Sequence, residues 1–555
     1  MRKLLWILGG VAAGLVGLIL LAPAALWWET GRRQKRWEAY KESLERQGER
    51  LDWEDFIGSR PPDEENFFAT PSLRPLLEGR IVLRENGEAA FADEGKIRAA
   101  CRMPEWIRLL SLSPGCMAGK PLDLTKALAS LESASGRLDP KAAAVLGQTN
   151  LSAADRVERL VSIEEPRLAE LAAAARRSRA WLPYWTNRAS FFISLPEWPF
   201  LKAAGRMFSL RATVRVRHNR SREAVEDVET ALRLLRAPTN APSFLAAFVE
   251  AALLCDACRP IWEGLAARRW GKEDLAALQE ALDRANYVRD AKLCFRGERA
   301  FEIGVFKSVA ERWPWIGNRI AGCLIYANMR LLAESFQEHC LPVLDAERGV
   351  VRLGEFRIRH APFFETLSHT RHPYRFLAAM SFQPVDRVLV VIARRQSLIS
   401  MARAAVALER FRLRFGRYPE SLDQLAPRFL AQTPVDPSTG ERLVYRLEEK
   451  DKFVLYSRGP DGEDDGGRII LNKRGLPDLG AKDSDWVWSY TPVPLLSGGP
   501  SGGRSSVEKN GTPGGTRTPN PLIRSQMLYP IELPAHRAKE GLHKPLCLPT
   551  SKKRL

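Results

Sequence analysis

The sequence carries no Walker phosphate loop, no G-x-S-x-G nucleophile elbow, no dinucleotide-binding glycine fingerprint and no H-E-x-x-H zinc motif. Each absence removes a reaction class that a local pattern would announce. Cysteine is sparse too. The eight are Cys101, Cys116, Cys255, Cys258, Cys294, Cys323, Cys340 and Cys547 in 555 residues, too few for a disulfide scaffold. Buried free thiols are expected instead. No cysteine follows the N-terminal apolar run in lipobox fashion, so no lipidated N-terminus is expected. No fingerprint of a nucleic-acid-binding module is present. The net charge of +18 is also unevenly placed: residues 500–555 hold ten Lys/Arg against three Glu. The remainder is spread over arginine-rich helices rather than gathered in a patch, so no nucleic-acid partner is expected.

What the chain does have begins with Leu4–Trp28, 25 residues without a charge. At about 1.5 Å per residue such a helix spans about 30 Å of hydrocarbon with tilt to spare. Trp27 and Trp28 fall where an interfacial aromatic belt belongs. The competing reading is a cleaved signal peptide with Ala22-Pro23-Ala24 as its small-residue site, but the apolar run continues past that point. A single membrane pass over 4–28 is expected, in the inner membrane of the cell. The short basic N-terminus (Arg2, Lys3) places the body outside the cytoplasm, although Arg32, Arg33, Lys35 and Arg36 on the other flank count the opposite way.

Residues 31–51 read as a charged helix with a narrow apolar stripe of Trp37, Tyr40, Leu44 and Leu51, ending near Gly48. Pro61-Pro62 breaks the chain, and Asn66 to Pro71 form a polar-aromatic loop, so 29–80 is a juxtamembrane helix with an ordered linker. Residues 81–380 form an α-helical body. Within it 201–217 and 221–236 pair as a helical hairpin, with Ala224, Val228 and Ala231 at the small and apolar spacings of a tetratricopeptide-like second helix. That match covers one hairpin; no 34-residue period follows.

Three local constellations have bland readings. Cys255-Asp256-Ala257-Cys258 lies inside a helical run, whereas redox pairs open helices and a zinc site needs two further ligands. His360, His369 and His372 cluster near Glu365 without a visible orienting shell. Trp181, Trp185, Trp198 and Trp262 with Tyr184, Phe191 and Phe192 read as core anchors.

The most informative stretch is 398–467. A long helix over 384–415 stops at Gly416, Tyr418-Pro419 turns the chain, and ESLDQLAPRFL reads as a short amphipathic helix. Asp436-Pro437-Ser438-Thr439-Gly440 is a turn. Residues 443–446 and 453–456 form a hairpin, and Ser457 to Gly467 form an acidic glycine-rich loop. This order (helix, G-x-Y-P, L-x-x-L, D-P-x-x-G, strand, S-x-G-x-D-G) resembles the C-terminal domain of major type II secretion pseudopilins. In that family the last loop binds calcium, which implies oxygen ligands from Ser457, Asp461, Asp464 and Asp465 here. The residues agree independently: Ca²⁺ takes six to eight oxygens at about 2.3–2.6 Å, and the acidic residues between Asp461 and Asp465 would otherwise repel. The apolar segment, however, lies about 370 residues upstream of this unit and lacks the prepilin cleavage motif, so the chain is not a pilin. With its anchor, the PPDEENFFATP segment, the helical middle and DWVWSY at 485–490, the chain is also similar to a group of membrane-anchored proteins from Planctomycetes and Verrucomicrobia, a resemblance that implies topology and no activity.

Beyond Pro494 the composition turns to Gly, Ser, Pro, Thr and Lys, and 495–555 is expected to be disordered. Residues 514–536 resemble the translation of a tRNA gene's complementary strand. Thr516-Arg517-Thr518 matches the complement of the T-arm, and Pro530-Ile531-Glu532-Leu533 matches that of the D-arm. The tail is thus expected to reflect a reading frame that runs into a tRNA locus.

The expected class is mainly α: one transmembrane helix at 4–28, a helical-hairpin body at 81–380, a small α+β module at 384–492 and a disordered tail. The expected role is an extracytoplasmic scaffold or binding protein with a calcium-stabilised module that contacts an envelope or secretion-type assembly. An extracytoplasmic hydrolase acting on envelope polymers through the helical body is the alternative.

Overall fold

A computed structural model describes residues 2–490 apart from 85–88, 111–118, 187–194, 313–321, 369–371, 382–384, 450, 472–477, 479–480 and 482; side chains are described from residue 24 onward. Helix accounts for 64% and strand for 7%, so the chain is mainly α as expected. The predicted tail at 495–555, His369, Phe191 and Phe192 lie outside the described residues.

The first helix, α1 (Arg2–Arg46), is one unbroken element of 45 residues. The apolar stretch and the charged juxtamembrane stretch therefore share an axis. Among the described residues no helix is long and apolar enough to cross a membrane; most side chains of the predicted anchor precede residue 24. The predicted stripe faces the body: Trp37, Leu44 and Leu51 are buried and Tyr40 packs against the same core. Behind it, Asn66 is fully buried, its Oδ1 accepting from Trp181 N at 2.9 Å and its Nδ2 donating to Trp181 O at 3.0 Å. This side chain satisfies backbone groups that an irregular linker would leave bare, which is how residues 61–71 stay ordered without a helix.

The body is built from α2 (Glu197–Arg217), α3 (Ser221–Arg233), α4 (Phe244–Ala266), α5 (Lys272–Asp283), α6 (Tyr287–Arg312) and α7 (Gly322–Glu334). The predicted hairpin is the pair α2–α3. Ala212, Ala224, Val228 and Ala231 are all fully buried in it. Asp227, 2% exposed, ties the two helices by accepting from Arg211 at 2.6 Å and Arg215 at 2.7 Å. Where α2 crosses α4, a Cβ on Gly205 would come within 2.2 Å of Leu253 Cδ2. Glycine is what allows so close a crossing. Cys255 and Cys258 sit mid-helix in α4, not at a helix start.

Helix α8 (Pro373–Ser381) rests on α7, and α9 (Val385–Phe415) runs through the body against α4, α5 and α6 before reaching the C-terminal sheet. Gln396 on α9 accepts from Tyr287 N at 2.8 Å and Arg403 reaches Asp283 at 2.7 Å. The C-terminal unit therefore shares its long helix with the body. Of the predicted helix ESLDQLAPRFL only Leu422–Leu425 forms, as a single 3-10 turn. Pro427 disfavours the helical region for the residue before it, and Ala426 is extended at φ −93°, ψ 146°.

Two small antiparallel ladders occur in the body, β1 (Ile81–Leu83) with β2 (Ala89–Phe91) and β3 (Leu344–Asp345) with β4 (Val350–Val351). The predicted hairpin is β5 (Val444–Glu449) with β6 (Lys452–Ser457), and a third strand, β7 (Trp486–Tyr490), pairs antiparallel with β6. Trp488, fully buried, is the anchor of β7.

Candidate functional site

The acidic loop leaves β6 at Ser457 and returns to the sheet at Asp485. Its base is set by Asp436 in the Asp-Pro turn, which is fully buried. Asp436 Oδ1 accepts from Ser457 Oγ at 2.7 Å and from Ser438 Oγ at 2.7 Å, and its Oδ2 accepts from Arg458 N at 2.7 Å. The hydroxyl of Ser457, one of the four residues expected to hold calcium, is thus committed to Asp436. Asp461 accepts from Glu463 N at 3.2 Å. Asp464 Oδ1 accepts from Tyr456 OH at 2.7 Å and Gly466 N at 3.0 Å, and the tyrosine hydrogen bond holds its carboxyl below the usual range.

Two oxygens in this loop lack such partners. Asp465 Oδ2 and Asp485 Oδ1 are buried without a hydrogen bond. Asp485 is 2% exposed, and its Oδ2 accepts from Gly467 N at 2.7 Å. Burial, then the charges of Asp465 and Asp464, push Asp485 up to about 6. Buried carboxylate oxygens without donors are costly. Oxygen donors are the type a hard ion such as Ca²⁺ takes, but the acidic loop is not among the clusters of metal-ligating spacing in the described residues. Asp465 is common to this pair and the set expected from sequence. Asp485 was not anticipated; its signal is an Asp immediately before the aromatic strand WVWSY.

A cavity of about 420 Å³ opens between α3, α4, α5 and α6. Glu250 lies in its wall at 2% exposure, with Oε2 unpartnered. Burial, then the charge of and a hydrogen bond with Asp290, push the Glu250 carboxyl well above the carboxylate range. Asp290 is also held by Arg289 at 3.0 Å, and Arg233 on the same wall is held by Glu229 at 2.6 Å.

Of the three clustered histidines, the two among the described residues, His360 and His372, have different partners. His360 meets His339, Nδ1 to Nδ1 at 3.0 Å, and His339 stacks on Phe363 at 4.0 Å between ring centroids. The two lie on π-helical turns, Ser335–Cys340 and Phe356–His360. Burial, then the charge of His360, holds His339 below its usual value. His372 instead accepts from Tyr374 N at 3.3 Å. Asp155, Glu158 and His218 form the one His/Asp/Glu cluster of metal-ligating spacing among the described residues. Its groups are spoken for: His218 bridges both carboxylates at 3.3 and 3.0 Å, Ser152 donates to Asp155, and Arg220 pairs with Glu158.

The described aromatics of the middle pack into or against the core. Trp185 and Trp198 stack at 5.6 Å, and Glu197, fully buried, accepts from Trp185 Nε1 at 2.8 Å and Tyr184 OH at 3.0 Å. Burial raises Glu197 from 4.5 to about 7. Its protonated form is thus the one the fold prefers. The stability it contributes is fully present below pH 4.5 and is lost as pH rises through about 7. The loss is on the order of 3 kcal/mol, at about 1.4 kcal/mol per pKa unit. Urea titrations at pH 4.5 and pH 8 should show the native chain losing stability relative to Glu197→Gln, which cannot titrate.

No protein-family model, no curated protein and no solved structure matches the chain.

Proposed function

We propose that the chain is a membrane-tethered scaffold or binding protein with its body outside the cytoplasmic membrane. Its C-terminal module is clamped by calcium at the acidic loop and presents a surface to an envelope or secretion-type assembly. The pseudopilin-like reading of 398–467 belongs to this proposal. The observation that carries it is the pair of buried, unpartnered oxygens on Asp465 and Asp485, one from the loop and one from the edge of β7. An ion between them would tie the loop to the sheet. The continuity of the uncharged stretch with the juxtamembrane helix in α1 supports the tether.

Ligand binding to the folded state alone stabilises it by RT ln(1 + [L]/Kd), about 2.7 kcal/mol at a hundredfold excess over Kd. Adding Ca²⁺ should raise the melting temperature, EGTA should reverse the rise, and Asp485→Asn should abolish it. Because the ion displaces a proton, its affinity should climb as pH rises through about 6, where Asp485 ionises. An unchanged melting curve with EGTA at pH 7.5 would remove the metal from this reading.

A second reading, a hydrolase acting on envelope polymers through the helical body, is favoured by Glu250 and Asp290 in the cavity wall. Two neighbouring carboxyls, one of them buried so that its protonated form is favoured, are the arrangement that lets one group donate a proton while its neighbour accepts one. On this reading Asp290→Asn and Glu250→Gln each abolish turnover of envelope polysaccharide or peptide while leaving the fold intact. Native protein without turnover on such polymers would end it.

A further inference from the structure

We infer that the membrane-proximal end of the body lies on the lipid surface itself, through a face made of Trp27 and Trp28 on α1 and Phe376 on α8. This inference rests on the tether reading and extends it from the anchor to the body.

The three side chains are among the most exposed large apolar groups of the described residues: Trp27 is 66%, Trp28 65% and Phe376 50% exposed. Isolated exposed apolar residues are ordinary; here the two elements that carry them are brought side by side. The guanidinium of Arg33 lies over the Tyr374 ring at 3.9 Å, which fixes the start of α8 beside α1 five residues past Trp28. Five residues of helix advance about 7.5 Å. A headgroup layer is of that thickness, since the bilayer is about 40–45 Å thick with its interfaces and about 30 Å without them. With Trp27 and Trp28 at the hydrocarbon edge, α8 is at headgroup depth.

The orientation of α8 is set by the body. Ala378 is fully buried, and its N–H donates to Asn328 Oδ1 on α7 at 2.9 Å. Tyr374 OH also reaches Cys323 Sγ at 3.9 Å on the same helix. With that side held, Phe376 is left outward. The charges around the face are mostly positive. Arg32 and Arg33 both hold Glu29, at 2.7 and 2.6 Å, and Arg32 also lies over the Trp28 ring at 5.5 Å. Lys35, Arg36 and Arg375 are exposed around them. Indole and phenyl groups with arginines beside them match an anionic headgroup layer, where amphipathic rings and basic side chains both find partners. A protein partner or a second copy would not need the face to begin at the end of an uncharged helical stretch.

The test uses the full chain reconstituted into anionic liposomes, with a fluorescent amino acid introduced at position 376. Half of the preparations carry bromine on the lipid acyl chains near the headgroup as a quencher. The expected result is that the protein floats with the vesicles and the probe loses roughly half of its emission in brominated lipid. Flotation without quenching overturns the lipid-facing surface while leaving the tether standing, and points to a protein or a second copy as the cover. Failure to float overturns the tether reading, and this inference with it.

Discussion

Replacing Glu49 by alanine should lower the unfolding free energy by about 3–5 kcal/mol, the cost of leaving a buried charge without its partner. Glu49 follows the end of α1, and its side chain is 8% exposed. Its Oε2 accepts from Arg299 at 2.7 Å, and its Oε1 from Arg296 at 2.8 Å. Arg299 on α6 is fully buried and also donates to Gln337 at 2.5 Å and to Arg50 O at 3.1 Å. Burial raises the Glu49 carboxyl, but the hydrogen bond and charge of Arg299 overcome it and leave it below its usual range. The stability it brings is therefore present at neutral pH and is lost as pH falls below the carboxylate range. Urea denaturation of Glu49→Ala tests the size of the effect. The double variant Glu49→Ala with Arg299→Met should recover much of the loss, because it removes the stranded guanidinium as well. If the single variant unfolds with the native midpoint, the pair is not desolvated as described.

Gly459→Ala should cost about 2–4 kcal/mol, summing the strain of a left-handed alanine with that of an overpacked contact. Gly459 has φ +69°, and a Cβ there would lie 2.2 Å from the carbonyl oxygen of Ser484. Ser484 immediately precedes Asp485, so relieving the clash must move the strand edge that supplies the unpartnered carboxylate. Thermal melts should show the variant destabilised and, on the calcium reading proposed above, its calcium-induced shift reduced. Destabilisation with an unchanged calcium shift would separate the turn from the ion site. An exposed turn such as Gly466, where a Cβ meets nothing within 4 Å, should show only the conformational part of the cost.

The parts of the fold legible in the sequence are those set within a few residues. The helix over 385–415 was expected from 384, and the β5–β6 hairpin was expected from its two short strand runs on either side of a polar turn. The α2–α3 hairpin was readable from small residues at helical spacing. What escaped was set at a distance. β7 is five residues long and follows a loop without alternation, so only pairing with β6 identifies it. The short helix expected after Glu420 was over-read because local apolar spacing outweighed Pro427. Among candidate sites, the acidic loop was visible because its carboxylates crowd into one short stretch from Asp461 to Asp465, whereas Asp485 is brought in from 20 residues beyond Asp465 by the sheet. Glu250 and Asp290 are 40 residues apart on different helices, and His339 meets His360 across 21 residues. Spacing of that kind has no local period to betray it.

The unbroken course of α1 has a mechanical consequence. Beyond Trp28 the helix continues for 18 residues, from Glu29 to Arg46, a rigid stem of about 27 Å. There is no swivel between the apolar stretch and the point where Trp37 and Leu44 enter the core. On the tethered reading, the body is not a float on a string. A sideways pull on the C-terminal module would be felt as tilt of the apolar helix, and twisting the body would twist that helix with it. A stem of this stiffness fixes both the height and the heading of whatever the module presents.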